Sequence, residues 1–254
     1  MMTDQRELSA RNVLITGGSR NLGEAIARKL ASLGASLVIN HHNDAEKADE
    51  LTLDLRGKGT RIIAVEADVS QSDQVKRLMA QAVKDIGPID ILIHCAGPFA
   101  MTPFHSMPES EWDTILGVNV KAAYLLTREV APAMKQRGWG RIVLMSAGSS
   151  FIRTHSIYGL AKAAVTHLAE SLAVELGPEV TVNAIAPGQI MESAAIMDTF
   201  EPGFSERATQ ASPLKRLVTR QEVAEMIALI CTSPAMQSVT GHTFVMDGGW
   251  RLTA

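Results

Sequence analysis

Seven short runs of β-branched and aliphatic residues, NVLITG, SLVIN, RIIAVEADV, IDILIHCAG, GRIVLMS, VTVNAIAPG and TFVMDGG, recur along the chain with helix-periodic segments between them. This alternation admits few folds. Strand, helix and strand in succession make a parallel βαβ unit, and strands that read as unbroken apolar runs are those covered by helices on both faces. The sequence therefore predicts a doubly wound α/β fold around a seven-stranded parallel sheet. No repeat, low-complexity tract or linker interrupts the pattern, so residues 1–254 are expected to form a single domain, large enough to hold its core without disulfides or metal.

Two helices can be placed closely. Ser70 and Asp73 read as an S-x-x-D capping box, followed at helical spacing by Val75, Leu78, Met79, Ala82, Val83 and Ile86 and stopped by Gly87-Pro88. A second helix is expected from Tyr158 to Leu176, burying Ala161, Val165, Leu168, Leu172 and Leu176. The stretch 189–213 lacks a clear period. A long loop leaving the carboxyl end of a strand in such a sheet is where a substrate lid is expected.

Composition excludes several classes of function. A formal net charge of −3 gives no electrostatic reason to expect a nucleic-acid partner. Cys95 and Cys231 match no zinc or redox spacing, so no metal site is expected, and both read as buried small hydrophobes of a reducing cytosol. The start, MMTDQRELSARNVLI, has no basic region followed by an apolar core, and no segment is apolar for the roughly 18 residues a membrane span needs. A soluble, cytoplasmic protein is the expectation.

The first strand runs straight into a glycine-bearing turn and an amphipathic helix with Leu22, Ile26, Leu30 and Leu33 inward. Backbone N–H groups of such a turn, with the positive end of the helix dipole, bind the pyrophosphate of a dinucleotide. Gly17, Ser19, Arg20, Asn21, Leu22 and Gly23 form this turn in the pattern T-G-x-x-x-G-x-G, with Asn21 at the middle glycine position. Asparagine tolerates the left-handed backbone best among non-glycine residues, so the turn survives the exchange. A carboxylate at the end of the second strand would hold the ribose 2′-OH of NAD, but Asn40 and His41 stand there. Arg20 offers a guanidinium to a 2′-phosphate, so NADP is expected over NAD, with Asp44 as the nearest acid. Asp68 and Val69 close the third strand beside an expected adenine edge, and Cys95, Ala96 and Gly97 close the fourth, where small residues let the backbone approach a cofactor.

Tyr158 and Lys162, spaced i, i+4 at the start of a helix, leave the same face one turn apart. An adjacent ammonium favours the phenolate and is expected to bring the phenol towards the working range of an acid/base.

With these residues in place the chain resembles the short-chain dehydrogenase/reductase family over nearly its whole length. The likeness rests on TGGSRNLG, Asp68-Val69, Cys95 to Gly97, Asn119-Val120, the YGLAK run, NAIAPG and the closing TGHTFVMDGG. It implies a Rossmann-type fold, hydride transfer between NAD(P)H and a carbonyl or alcohol, and a homotetramer. It also implies Tyr158 as acid/base, Lys162 as ribose ligand and modulator of the tyrosine, and Asn119 as holder of a relay water. Pro187, Gly188 and Ile190 are implied to face the nicotinamide.

Departures from the family pattern bear on the remaining role. The family's serine, which hydrogen-bonds the substrate carbonyl, stands 13 residues before the tyrosine and six after the residue matching Arg141. Here those rules give Met145 and Ala147, and the intervening loop is about two residues short. Ser146 is the first choice for this donor; Ser149, or neither, remains open. His94-Cys95 replaces the family's usual Asn-Asn, and His94 is expected to be a satisfied core histidine. Glu192 stands where the family often has a threonine that contacts the carboxamide, and reads either as a residue near the nicotinamide or as the first solvated residue of the lid; His155, three residues before Tyr158, could reach the pocket mouth, the lesser of its two readings.

Phe99, Met101, Phe104, Phe151, Ile152, Met191 and Met197 are expected to border an apolar substrate pocket, although the same residues equally cover a core. Three functions follow: NADPH-dependent reduction of a ketone, resembling the 3-oxoacyl-carrier-protein reductases; reduction of C=N bonds in pterins, because NHHNDAEKA, CAGPF and LGPEVTVNAIAPG resemble the pteridine-reductase branch; or dinucleotide sensing without catalysis. The pteridine branch often has Asp at the serine position, and this chain does not.

Overall fold

Successive residues of a strand point to opposite sides of a sheet, and here both sides meet a helical layer. The computed structural model describes residues 7–152 and 155–253, and its one sheet has seven parallel strands in the order β3-β2-β1-β4-β5-β6-β7. They are β1 (Asn12–Thr16), β2 (Ser36–His41), β3 (Ile62–Glu66), β4 (Ile91–His94), β5 (Gly140–Met145), β6 (Val180–Pro187) and β7 (Thr243–Met246). The helices are α1 (Asn21–Ser32), α2 (Ala45–Gly57), α3 (Ser72–Asp85), α4 (Glu109–Leu116), α5 (Ala122–Gln136), α6 (Ile157–Leu176), α7 (Ala194–Phe200), α8 (Phe204–Ala211) and α9 (Arg220–Thr232). The expected doubly wound sheet and its single domain are both present. Residues 1–6 of the segment read for a targeting signal, and 153, 154 and 254 of the expected domain, lie outside the described residues.

Leu14, Val38, Leu92, Leu144 and Val182 pack on one side against α3, α5 and α6. Their neighbours Ile15, Ile39, Ile93, Val143 and Ile185 pack on the other against α1, α2 and α9. Each such side chain contributes about 1.5–3 kcal/mol by burial, and one slip in register would swap the two faces. The chain leaves β1 towards β3 and returns across it to β4, so the sheet order reverses between β1 and β4. Their carboxyl ends open the crevice in which such sheets bind ligands.

Two local expectations need correction. Ser70 and Asp73 do not form a capping box: both the N–H and the hydroxyl of Ser70 donate to Asp68 Oδ1 (2.9 and 2.7 Å), and α3 starts at Ser72 behind an uncapped Gln71. Asp68 outbids the helix because it is two residues away and accepts both donors. The stretch 189–213 is not a loop. It carries a 3-10 turn at Met191–Ser193, then α7 and α8, broken at Gly203, whose φ is 72°. Helices of seven and eight residues are too short to print a clear hydrophobic period. By contrast α6 begins where expected, with Ser156 Oγ accepting from the N–H of Gly159, and buries Ala161, Val165, Leu172 and Leu176, with Leu168 half-buried.

His94 is a bracing residue at the end of β4, as expected of a core histidine. Val118 O lies 3.0 Å from its Nε2 and can only accept, so Nε2 carries the proton and Nδ1 accepts from Thr16 Oγ1 at 2.8 Å. Thr16 in turn accepts from the N–H of Ala96 at 3.2 Å, which ties β1, β4 and the segment after α4 together. Burial, assisted by the Lys162 charge, pushes His94 down from 6.5 to about 4. The unfolded chain binds a proton that the folded chain rejects, so stability is lost as pH falls from 6.5 towards 4. A loss of about 3 kcal/mol is expected over that window. Urea unfolding of wild type and His94→Asn across it should show a steeper fall in the first, the difference between the two being the share of the histidine.

Candidate active site

The phosphate-binding turn is built by backbone geometry. Gly17 has φ 63° and Asn21 φ 53°, both left-handed, so Asn21 does what its position required. A methyl group on Gly23 would lie 2.0 Å from Gly17 O, which forces glycine where α1 meets the turn. No side chain caps α1 behind Arg20, and its first N–H groups face the crevice with the helix dipole behind them.

This cleft, of about 540 Å³, brings together every residue expected to bind a dinucleotide: the turn from Gly17 to Gly23, Asn40, His41, Asp68, Val69, Cys95, Ala96, Gly97, Tyr158, Lys162, Pro187, Gly188 and Ile190. Asn40 lines it from below while its amide donates to Val65 O and Ala67 O, locking β2 to β3. Beside Arg20, His41 Nδ1 is buried without a partner. Asp44, read from sequence only as a neighbouring acid, also reaches the rim. It accepts from Ser19 Oγ at 2.7 Å and lies 3.7 Å from Arg20 Nε. The residues fit a dinucleotide, with anion-binding backbone at the centre and a guanidinium, an imidazole and one carboxylate at the ribose end.

Lys162 is buried, and its Nζ donates to Met145 O at 2.7 Å and lies 5.4 Å from the centre of the Tyr158 ring. Burial pushes Lys162 down to about 8, and the Tyr158 phenol is pushed above its ordinary value, first by burial and then by Cys95. The expectation that the ammonium would lower the phenol is therefore corrected. Loss of hydration outweighs a charge held against a carbonyl, and the phenol stays protonated at neutral pH. Asn119 lies in a π-helical turn, Gly117–Lys121, between α4 and α5. Its amide donates to Ile115 O and Pro98 O, whereas its Oδ1 is buried and unpartnered. A methyl on Gly97 would sit 2.4 Å from that Oδ1 and 3.1 Å from Lys162 Nζ, so both polar atoms converge on one bare backbone.

The two serines separate. Ser146 Oγ donates to Lys162 O at 2.9 Å and is flanked by Ser150 Oγ and Thr166 Oγ1, so its one proton is committed to α6. Ser149 lines a second cavity of about 530 Å³, and its Oγ is buried with no partner. Tyr158 belongs to both cavities. Of the residues expected on the substrate side, Phe99, Met101, Ile152 and Met197 line this cavity, and Phe200, Phe204 and Trp250 join them. Phe104, Phe151 and Met191 lie outside its wall, on exposed surface. Glu192 accepts from the N–H of Arg220 and anchors the 3-10 turn to α9. Gln189, the first residue of the stretch expected to hold the lid, lines the cavity too.

Residues 17–251 match the family model described as enoyl-(acyl carrier protein) reductase. The chain is 34% identical over 255 residues to dehydrogenase/reductase SDR family member 4 of Bos taurus, covering 98% of this chain and 90% of that protein. It is 33% identical over 245 residues to the 3-oxoacyl-[acyl-carrier-protein] reductase of Synechocystis, with 95% and 97% covered. Among solved structures, FolM alternative dihydrofolate reductase 1 from Brucella canis, complexed with NADP, superposes with a TM-score of 0.86 at 26% identity, covering 98% of this chain and 97% of that one.

Proposed function

The chain belongs to the short-chain dehydrogenase/reductase family of oxidoreductases, and we propose that it reduces the carbonyl of a ketone to an alcohol with NADPH. The observation that carries this reading is the position of Tyr158, whose ring stands in the wall between a cleft suited to a dinucleotide and an apolar cavity. When bound, the dihydronicotinamide supplies a hydride to the carbonyl carbon and leaves oxidised.

Tyr158 gives the proton to the carbonyl oxygen. Its raised pKa keeps that proton in place until an alkoxide develops. Lys162, charged below about 8, binds the nicotinamide ribose and steadies the phenolate left behind. Asn119 Oδ1 holds the water that returns the proton. We assign to Ser149, rather than Ser146, the second donor to the substrate oxygen, because its hydroxyl is the uncommitted one. The turn from Gly17 to Gly23 cradles the pyrophosphate, and Arg20 and His41 face the 2′-phosphate. Asp44 opposes that choice, but it is already engaged by Ser19 and Arg20. NADP in the Brucella structure supports the same preference.

A second reading, reduction of a C=N bond in a pteridine, is supported by the likeness to that dihydrofolate reductase. It is disfavoured because neither Met145 nor Ala147, the two matches to the serine position, is the Asp that the pteridine-reductase branch often has there. An assay of NADPH and NADH oxidation with uncharged ring ketones, acetoacetyl thioesters and dihydrobiopterin separates them. Ketone turnover with NADPH preferred is the expected result; turnover of the pterin alone would replace the first reading by the second.

A further inference from the structure

Two walls of the cavity beside Tyr158 come from separate parts of the chain. Gly148, Ser149 and Ile152, just before α6, form one, and Met197, Phe200 and Phe204, on α7 and α8, form the other. The second wall has little of its own to hold it: α7 buries none of its residues, and α8 only Ser205 and Ala208. Helices that bury so little open more readily than the sheet beside them, so their position depends on what braces them.

The turn 247–253, which follows β7, supplies that brace. Asp247 is buried, and its carboxylate accepts from the N–H groups of Gly249 and Arg251, both at 2.9 Å. Its base is firm, because Gly188 of the cofactor cleft donates its N–H to Met246 O at 2.9 Å, and a methyl on Gly188 would lie 2.8 Å from Asp247 Cβ. Gly248 O accepts from Ser212 Oγ at 2.8 Å and from the N–H of Leu214 at 3.2 Å, and Thr253 Oγ1 donates to Ala211 O at 2.7 Å. The carboxyl end of α8 is thereby tied to the end of β7.

From this base two side chains reach the two walls. Trp250 lines the cavity and meets the Phe204 ring edge-on, with centroids 5.6 Å apart. It also borders the small space beside Ala208 and Ser212, so it follows α8 along its buried side. Arg251 holds its guanidinium 5.4 Å over the ring of Phe151. Phe151 belongs to the first wall's segment, where its N–H donates to Gly148 O at 2.9 Å.

We propose that the turn 247–253 is a clamp that sets the width of the substrate cavity, with Trp250 positioning α8 and Arg251 positioning the segment before α6. Both act through Phe204 and Phe151, and neither transfers a hydride or a proton. The kinetic consequence rests on the ketone-reductase reading; the mechanical one does not.

Trypsin reads the mechanical consequence without substrate. Arg207 lies within α8 and is paired with Glu201, so cleavage after it requires α8 to open. Trp250→Ala is expected to speed that cleavage by roughly fivefold or more. Trp250→Phe, which keeps an aromatic edge towards Phe204, should restore most of the wild-type rate. With NADPH and a ring ketone, Trp250→Ala should raise KM by about tenfold with kcat within about twofold, while the Kd for NADPH stays at the wild-type value and reports an intact fold. Arg251→Leu should raise KM by about two- to threefold and leave cleavage after Arg207 unchanged, because it leans on the other wall. Wild-type cleavage in Trp250→Ala, a loss in Trp250→Phe as large as in Trp250→Ala, or NADPH binding weakened in step with the ketone would each overturn the clamp. If wild type turns over no ketone, the reductase reading fails by itself, and the cleavage rates alone decide for or against the clamp.

Discussion

Tyr158→Phe is expected to lower kcat for carbonyl reduction by roughly 10²–10⁴-fold, the range in which a positioned general acid contributes, while leaving NADPH affinity and folding stability near wild type. The substitution removes one oxygen and keeps the ring. The edge contact with Phe99 at 4.9 Å survives, and no hydrogen bond within the protein holds the phenol oxygen among the described residues. Lys162 keeps its bond to Met145 O, so the ribose ligand stays in place. Steady-state kinetics with NADPH and a ring ketone, beside a fluorescence titration of NADPH, separate the two effects. A rate that survives the substitution would show that the proton comes from elsewhere.

Gly23→Ala should act on the other half of the site. Its methyl group would meet Gly17 O at 2.0 Å and Gly18 Cα at 2.9 Å, and both are backbone. The turn must open or α1 must withdraw, at a cost of about 1–3 kcal/mol in stability. The N–H groups that converge on the pyrophosphate then lose their common focus, and a rise in Kd for NADPH on the order of a hundredfold is expected, equivalent to nearly 3 kcal/mol. Gly57→Ala is the matched control: nothing lies within 4 Å of its added methyl, and at the last residue of α2 it should leave binding unchanged and stability equal or slightly higher. Calorimetric titration of NADPH into both variants checks the contrast, and equal affinities would remove the phosphate role from this turn.

The sheet was legible because both of its faces are buried. Runs such as VLI and ILI have no polar alternative, and their ends coincide with glycine, asparagine or aspartate. The dinucleotide turn was legible for a related reason: Asn21 takes a left-handed φ of 53°, a conformation open to few residues other than glycine, so composition and geometry determine each other. Tyr158 and Lys162 could be placed together by helical spacing alone.

What failed to show depended on distant partners. The capping box at Ser70 has the right letters, yet Asp68, two residues back, holds both of its donors. The π-helical turn at Asn119 left no mark in the residue pattern, and His94 Nε2, 24 residues away in sequence from Val118, donates to the Val118 carbonyl within it. The roles of Ser146 and Ser149 separate only once α6 is in position, since it is Lys162 O and Thr166 of that helix that occupy the first hydroxyl. The sign of the Tyr158 shift was misjudged because a neighbouring charge is visible in the spacing, whereas burial of both partners is not. Asp44 was legible only as the nearest acid and Gln189 only as the start of the expected lid, because which side chains line each cavity is decided by the folded arrangement.

The most direct measurement supplies NADPH deuterated on the carbon that carries the hydride, together with an uncharged ring ketone, and weighs the product. Hydride transfer within this site predicts an alcohol carrying one deuterium on the new carbinol carbon for each NADPH oxidised, formed by wild type and, roughly 10²–10⁴-fold more slowly, by Tyr158→Phe. Tight NADPH binding with no deuterium passed to any ketone would contradict it and leave a protein that senses the dinucleotide without using it.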